Sequence, residues 1–162
     1  MASIRSSGIT EFMYMVSHFF DFSVYSILVF LLVAILIKIV RGIRYSIIFL
    51  SSIFLTGVSV LLLKILFNVA RPSDSVISAF GQSFPSYHAT VSTVFFIMLM
   101  YVFDRFFKSS GRILFNSICT ASILLISFSR IYLGVHWFSD VIAGILLSIL
   151  ISYFSIKISK KI

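Results

Sequence analysis

The sequence predicts an all-α fold, a polytopic bundle of about five transmembrane helices, and three observations carry that reading. Apolar residues fill 60% of the 162 positions and charged residues 11%, with a mean hydropathy of +1.14; an ordinary globular domain carries about 25% charged residues. The few charges divide the chain into five apolar runs, each near the roughly 20 residues that cross a hydrocarbon core of about 30 Å. Cys119 is the one cysteine, which excludes an intrachain disulfide scaffold, and seven glycines exclude a collagen repeat. Disorder is excluded by the apolar content.

The first run, 12–37, is broken by His18 and Asp21. It is either one span or an interfacial segment at 11–21 leading into a span. It is too long for a signal peptide, and no small-residue cleavage site follows it. The second run is 45–63, between Arg44 and Lys64. The third, 86–103, opens after Pro85, and the fourth, 113–129, lies between Arg112 and Arg130. The fifth begins near Trp137 and ends before Lys157. The connections are short and no repeat or linker is visible, so residues 1–162 read as one membrane-embedded domain.

Lysine and arginine set the expected orientation. Lys38, Arg41, Arg44, Arg105, Lys108, Arg112, Lys157, Lys160 and Lys161 fall on one side of five crossings, nine cations against Arg5, Lys64, Arg71 and Arg130 on the other. The positive-inside rule puts the C-terminus in the cytoplasm and the N-terminus outside. The net charge of +8 is then spent on topology, with the lipid bilayer as partner and no nucleic acid.

Three of the four outer cations stand beside reactive residues. Lys64 ends span two and Arg71 follows seven residues later, on the same face if the helix persists to Pro72. Pro85-Ser86-Tyr87-His88 opens span three, Arg130 closes span four, and His136 and Asp140 open span five at i, i+4 spacing. Taken singly, Lys64 reads as a snorkelling lysine, Pro85-Ser86 as a helix start, and Tyr132 with Trp137 as an aromatic belt. Their gathering at one membrane face favours a functional site, because charge near membrane depth is expensive. The cations suit phosphate, and the N-terminus of span three adds backbone donors. His136 beside Asp140 reads as an imidazole with its tautomer set by a carboxylate, its other nitrogen free to attack phosphorus. His88 is placed to protonate a leaving oxygen.

These residues resemble the signature of the type 2 phosphatidic acid phosphatase superfamily, the lipid phosphate phosphatases. Its pattern, K-x6-R-P, P-S-G-H, then S-R-x5-H-x3-D, reads here as Lys64 to Arg71-Pro72, Pro85-Ser86-Tyr87-His88, and Ser129-Arg130 to His136 and Asp140. The resemblance covers spans two to five, and many members of that superfamily have six spans. It implies that His136 forms a phosphohistidine, oriented by Asp140, with His88 as general acid. It also implies that Lys64, Arg71, Ser86, the Tyr87 N–H and Arg130 hold the phosphate. Tyr87 departs from the glycine of the pattern, and a side chain there either narrows the pocket or tilts the phosphate.

A zinc site of His88, His136 and Asp140 is the chemical rival. Three nearby cations oppose it, so no metal and no cofactor is expected. A lipid carrier or ion pathway would need charge along the middles of spans three to five, where the sequence has none. An inactive lipid-phosphate-binding relative is disfavoured because every reactive position is filled. The expected activity is metal-independent hydrolysis of a lipid phosphate or diphosphate at the outer face of a cell (inner) membrane. The connection 72–84 holds one acidic residue, Asp74, among small and apolar ones, poor equipment for reading a large head group. Polyprenyl diphosphate therefore ranks first, then phosphatidate, ahead of phosphatidylglycerophosphate, lipid A phosphates and soluble sugar phosphates. Nothing in the sequence sets an oligomeric state.

Overall fold

Polar and glycine punctuation decides where each helix stops. The computed structural model describes residues 5–21 and 23–161, with six α-helices and no strand among them. They are α1 (Ser7–His18), α2 (Val24–Arg41), α3 (Ile43–Phe67), α4 (Tyr87–Phe103), α5 (Ser109–Tyr132) and α6 (Phe138–Lys161). Five segments are long and apolar enough to span a membrane: α2, α3, α4 extended to Phe106, α5 and α6. A short 3-10 turn, Asp104–Phe106, follows α4.

The first apolar run is two elements. At Ser23 the chain starts afresh with a reciprocal cap: the Ser26 N–H donates to Ser23 Oγ at 3.4 Å and the Ser23 N–H to Ser26 Oγ at 3.2 Å. The run thus splits into the short α1, packed on α5, and the span α2. Between α2 and α3 stands Gly42 alone, with φ +93°, a conformation that side chains resist. Asn68 ends α3 in the left-handed region at φ 44°, as asparagine does more readily than most residues. The helix therefore does not persist to Pro72: Arg71 lies in the following loop, not on the helix face of Lys64.

Helix α4 is the hub, packed against α3, α5 and α6. Its first half, Ala89, Thr90, Val91, Ser92 and Thr93, is small and wholly buried. Gly144, Ser148 and Ser152 of α6 are also buried, four residues apart on one face. Close approach through small residues is how helices associate where lipid removes the hydrophobic drive. A Cβ built on Gly144 would stand 2.7 Å from Thr90 Oγ1 and 3.1 Å from the Ser86 carbonyl oxygen. The seam is tied by hydrogen bonds, with Ser148 Oγ donating to the Thr90 carbonyl at 2.7 Å and the Ser86 N–H to the Asp140 carbonyl at 3.1 Å. Beside it Phe20, Phe30, Phe49, Phe95 and Met98 fill an aromatic core. At the far end Arg41 donates to the Val102 carbonyl at 2.9 Å and Arg44 to the Ser159 carbonyl at 2.6 Å.

Gly144→Val is expected to force α6 off α4 and destabilise the protein by about 1–3 kcal/mol, the usual range for overpacking. Thermal unfolding in detergent checks this: the variant melts below the wild type.

Candidate active site

The ends of α3 and α5, the starts of α4 and α6, and the α1–α2 turn gather at one end of the bundle. The α3–α4 connection folds back over this end. The Ser83 N–H donates to the Val69 carbonyl at 2.8 Å, and Trp137 Nε1 donates to the Ala70 carbonyl at 2.9 Å. Arg5 ties its outer part, pairing with Asp74 at 3.0 Å and donating to the Tyr132 carbonyl at 3.0 Å.

This loop, not a shared helix face, brings the two N-terminal signature cations together. Lys64 Nζ donates to the carbonyls of Gln82 at 2.7 Å and Ser83 at 3.3 Å. Arg71 donates to the carbonyls of Gly81 and Phe80, both at 3.0 Å, and of Val135 at 2.8 Å. The backbone oxygens hold both cations without neutralising them.

His136 lies between α5 and α6 with only 4% of its surface exposed. Its Nδ1 is 3.4 Å from Asp140 Oδ2, and its Nε2 is 3.3 Å from Arg71 Nη1. An arginine N–H only donates, so Nε2 meets it with a lone pair and the ring proton sits on Nδ1, facing the carboxylate. That tautomer leaves the lone pair on Nε2. Asp140 Oδ2 also accepts the Trp137 N–H at 2.9 Å. The same carboxylate thus closes the first turn of α6 and holds the imidazole. Burial drives His136 down from its ordinary 6.5 to about 4, helped by Arg130, Arg71 and Lys64 and opposed by the Asp140 hydrogen bond.

Arg130 is 5% exposed and donates through Nη1 to Ser17 Oγ. Its Nε is buried and, among the described residues, has no hydrogen-bond partner; the same holds for Ser86 Oγ. Ser86 precedes α4 without capping it, so its hydroxyl is uncommitted at the positive end of a helix. Tyr87 has ordinary negative φ, as a helix start requires. Its ring meets the His88 imidazole edge-on at 5.8 Å between centroids. With Lys64 it also lines a groove of about 570 Å³ between α2 and α3, walled by Phe30, Phe54, Val58 and Leu61. Every residue predicted from the sequence lies at this end of the bundle.

Asp21 was legible only as a break in the first apolar run. Its carboxylate reaches His88, with Oδ1 2.6 Å from His88 Nε2. The available signal was an acid amid apolar residues near a membrane, which favours a functional reading by default. Among the described residues no three His, Cys, Asp or Glu side chains converge as a metal site.

The PAP2 superfamily profile matches residues 45–162. A protein of Sulfolobus acidocaldarius named undecaprenyl-diphosphatase is 37% identical over 76 residues, 47% of this chain and 33% of that protein. The chain thus matches about a third of that relative's length. Among solved structures, a transmembrane PAP2-type phosphatidylglycerolphosphate phosphatase from Bacillus subtilis superposes with TM-score 0.90 at 22% identity, covering 99% of this chain and 81% of that one. Aquifex aeolicus LpxE superposes with TM-score 0.76 at 24% identity over 96% of this chain and 89% of that one. At these identities the likeness is one of fold.

An activity that needs the neutral His136 imidazole is expected to persist well below its ordinary pKa. As pH falls through about 4, the ring gains a proton and its nucleophilic lone pair is lost. The acid limb of a kcat/KM profile should lie there; a limb near 6.5 would mean that burial does not govern the ring.

Proposed function

This chain belongs to the PAP2 superfamily, and from that premise we propose that it is a membrane phosphatase that hydrolyses a lipid phosphate or diphosphate through a phosphohistidine on His136. One observation carries the reading: His136 is held between Asp140 at Nδ1 and Arg71 at Nε2. Nε2 attacks phosphorus, the bond to the lipid oxygen breaks, and His88 gives that oxygen a proton. Water then attacks the phosphohistidine and releases phosphate. Lys64, Arg71 and Arg130 meet the charge that builds on the equatorial oxygens, where prepositioned donors count most. The unpartnered Arg130 Nε and Ser86 Oγ are donors that a phosphate oxygen would satisfy. Backbone N–H groups at the start of α4, Tyr87 among them, complete the clamp.

The lipid tail lies in the α2–α3 groove, whose apolar walls run up to Lys64. The loop that closes the site is short of side chains able to read a large head, and this favours a substrate whose head is almost all phosphate. Polyprenyl diphosphate ranks first on that ground, in keeping with the name of the Sulfolobus acidocaldarius relative; phosphatidate ranks second. The cations at the end of α2, the start of α3, the α4–α5 connection and the end of α6 lie opposite the site, which supports an active site on the outer face of the cell membrane.

Purified protein is expected to release phosphate from polyprenyl diphosphate with the highest kcat/KM in a micellar panel of phosphatidate, phosphatidylglycerophosphate, lipid A phosphate and a soluble sugar phosphate. His136→Ala abolishes turnover in folded protein, and Asp140→Asn lowers kcat by about 10²- to 10⁴-fold, the usual worth of a placed acid–base group. A tenfold preference for the sugar phosphate or lipid A phosphate overturns the ranking. Near-normal turnover by folded His136→Ala overturns the mechanism.

The orientation has its own test. In a Cys119→Ser background, a cysteine replacing Ser75 should react with an impermeant thiol reagent on intact cells, and one replacing Ser109 should not. The reverse pattern puts the site in the cytoplasm.

A further inference from the structure

The PAP2 profile begins at residue 45, yet the chain before it sends a carboxylate into the site. Asp21 sits in the turn between α1 and α2. Its Oδ1 is 2.6 Å from His88 Nε2, and its Oδ2 is 2.5 Å from His18 Nδ1. Two buried anchors place the turn from either side. Ser17, at the end of α1, accepts from Arg130, and Phe20 packs edge-on against Phe95 at 5.5 Å between centroids.

A carboxylate beside a phosphate clamp has two possible uses: it occupies the phosphate position, or it serves the neighbouring histidine. An occupant would engage the cations. Asp21 spends each oxygen on an imidazole nitrogen instead, and among the described residues it has no hydrogen bond to Lys64, Arg71 or Arg130. The contact is partly screened from water, with the His88 side chain 10% exposed and Asp21 37% exposed.

We propose that Asp21 is the positioning residue of His88, fixing its ring and balancing the positive charge that the general acid must carry. This rests on the lipid phosphatase reading above. A general acid in a site that already holds Lys64, Arg71 and Arg130 needs a counter-charge, and Asp21 is in contact with it. An ionised carboxylate only accepts, so His88 keeps a proton on Nε2 for Asp21. The proton passed to the lipid oxygen as its bond to phosphorus breaks is then the Nδ1 proton, which leaves a neutral imidazole still bonded to Asp21. The site thus contains two carboxylate–imidazole pairs, Asp140 with His136 and Asp21 with His88.

The test compares wild type, Asp21→Asn, Asp21→Glu, His88→Gln and the Asp21→Asn/His88→Gln double variant on the best lipid of the panel. Thermal unfolding is followed alongside. Asp21→Asn is expected to lower kcat about tenfold or more, with KM and melting temperature little changed and activity partly kept in Asp21→Glu. In the double variant the Asp21 change should cost nothing beyond His88→Gln, because its effect runs through that ring. Three results overturn the inference: unchanged or raised kcat in Asp21→Asn, a loss confined to KM or matched by a fall in melting temperature, or full additivity with His88→Gln. If Asp21→Asn does not fold, Asp21→Glu decides by the same split between kcat and KM. A wild type that releases no phosphate overturns the phosphatase reading itself, separately from any variant.

Discussion

The site depends on how closely α6 lies against α4. Gly144 has no side chain to keep Thr90 and the Ser86 carbonyl away, and Ser148 ties α6 to the Thr90 carbonyl at 2.7 Å. The contact sets the relative height of two helix starts. One carries Ser86 and His88, the other Asp140, and the Ser86 N–H bonds directly to the Asp140 carbonyl at 3.1 Å. In lipid, apolar burial does not pull helices together, so such seams rest on packing and hydrogen bonds. The spacing of the histidines is thus a consequence of small residues a turn or more below them.

A phosphate clamp near a membrane must hold cations in place before the anion arrives. Carboxylate partners would do so at the cost of cancelling the charge. Here Lys64 and Arg71 are held mainly by carbonyl oxygens of residues 80–83 and 135, which are dipoles and leave the full charge available. Arg130 is restrained through one nitrogen by Ser17, leaving its Nε without a partner among the described residues. The preorganisation is backbone work, done by a loop of mostly small residues. Such a loop has few side chains for reading a head group, so under the proposed function recognition falls to the phosphate and to the apolar groove beneath it.

Much of this was legible in the sequence because it is local. Charge punctuation located four of the five spans to within a few residues, since an apolar stretch between cations has few other fates in lipid; the first run, 12–37, held part of α1 as well as the span Val24–Arg41. The pairing of His136 with Asp140 followed from i, i+4 spacing. Three features were not legible. Nothing in the apolar run after Lys64 marks Asn68 as the helix end in preference to Pro72; a left-handed asparagine is a tendency, not a rule. The approach of Asp21 to His88 spans 67 residues and depends on the turn at Ser23 and on α1 docking against α5. Pattern reading registers such an acid only as an interruption. The groove lined by Lys64 and Tyr87 likewise exists only once α2 and α3 are packed.

The two histidines rest on different mechanical foundations. His136 and its carboxylate belong to one tight turn, and Asp140 also closes the first turn of α6 by accepting the Trp137 N–H, so the proposed nucleophile is as rigid as the helix. A nucleophile gains from that, because a fraction of an ångström of misplacement costs rate steeply. His88 is fixed by α4, but its carboxylate comes from another element, outside the stretch matched by the family profile. The demand on an acid is looser, since a proton reaches oxygen over a range of hydrogen-bond geometries, whereas its charge balance must suit the leaving group. An N-terminal segment that supplies this carboxylate can set the acid's partner while the nucleophilic turn stays unchanged. The segment also caps the end of the bundle through Arg5, Ser17 and Phe20, so the docking of α1 and the contact of Asp21 with His88 are one structural event.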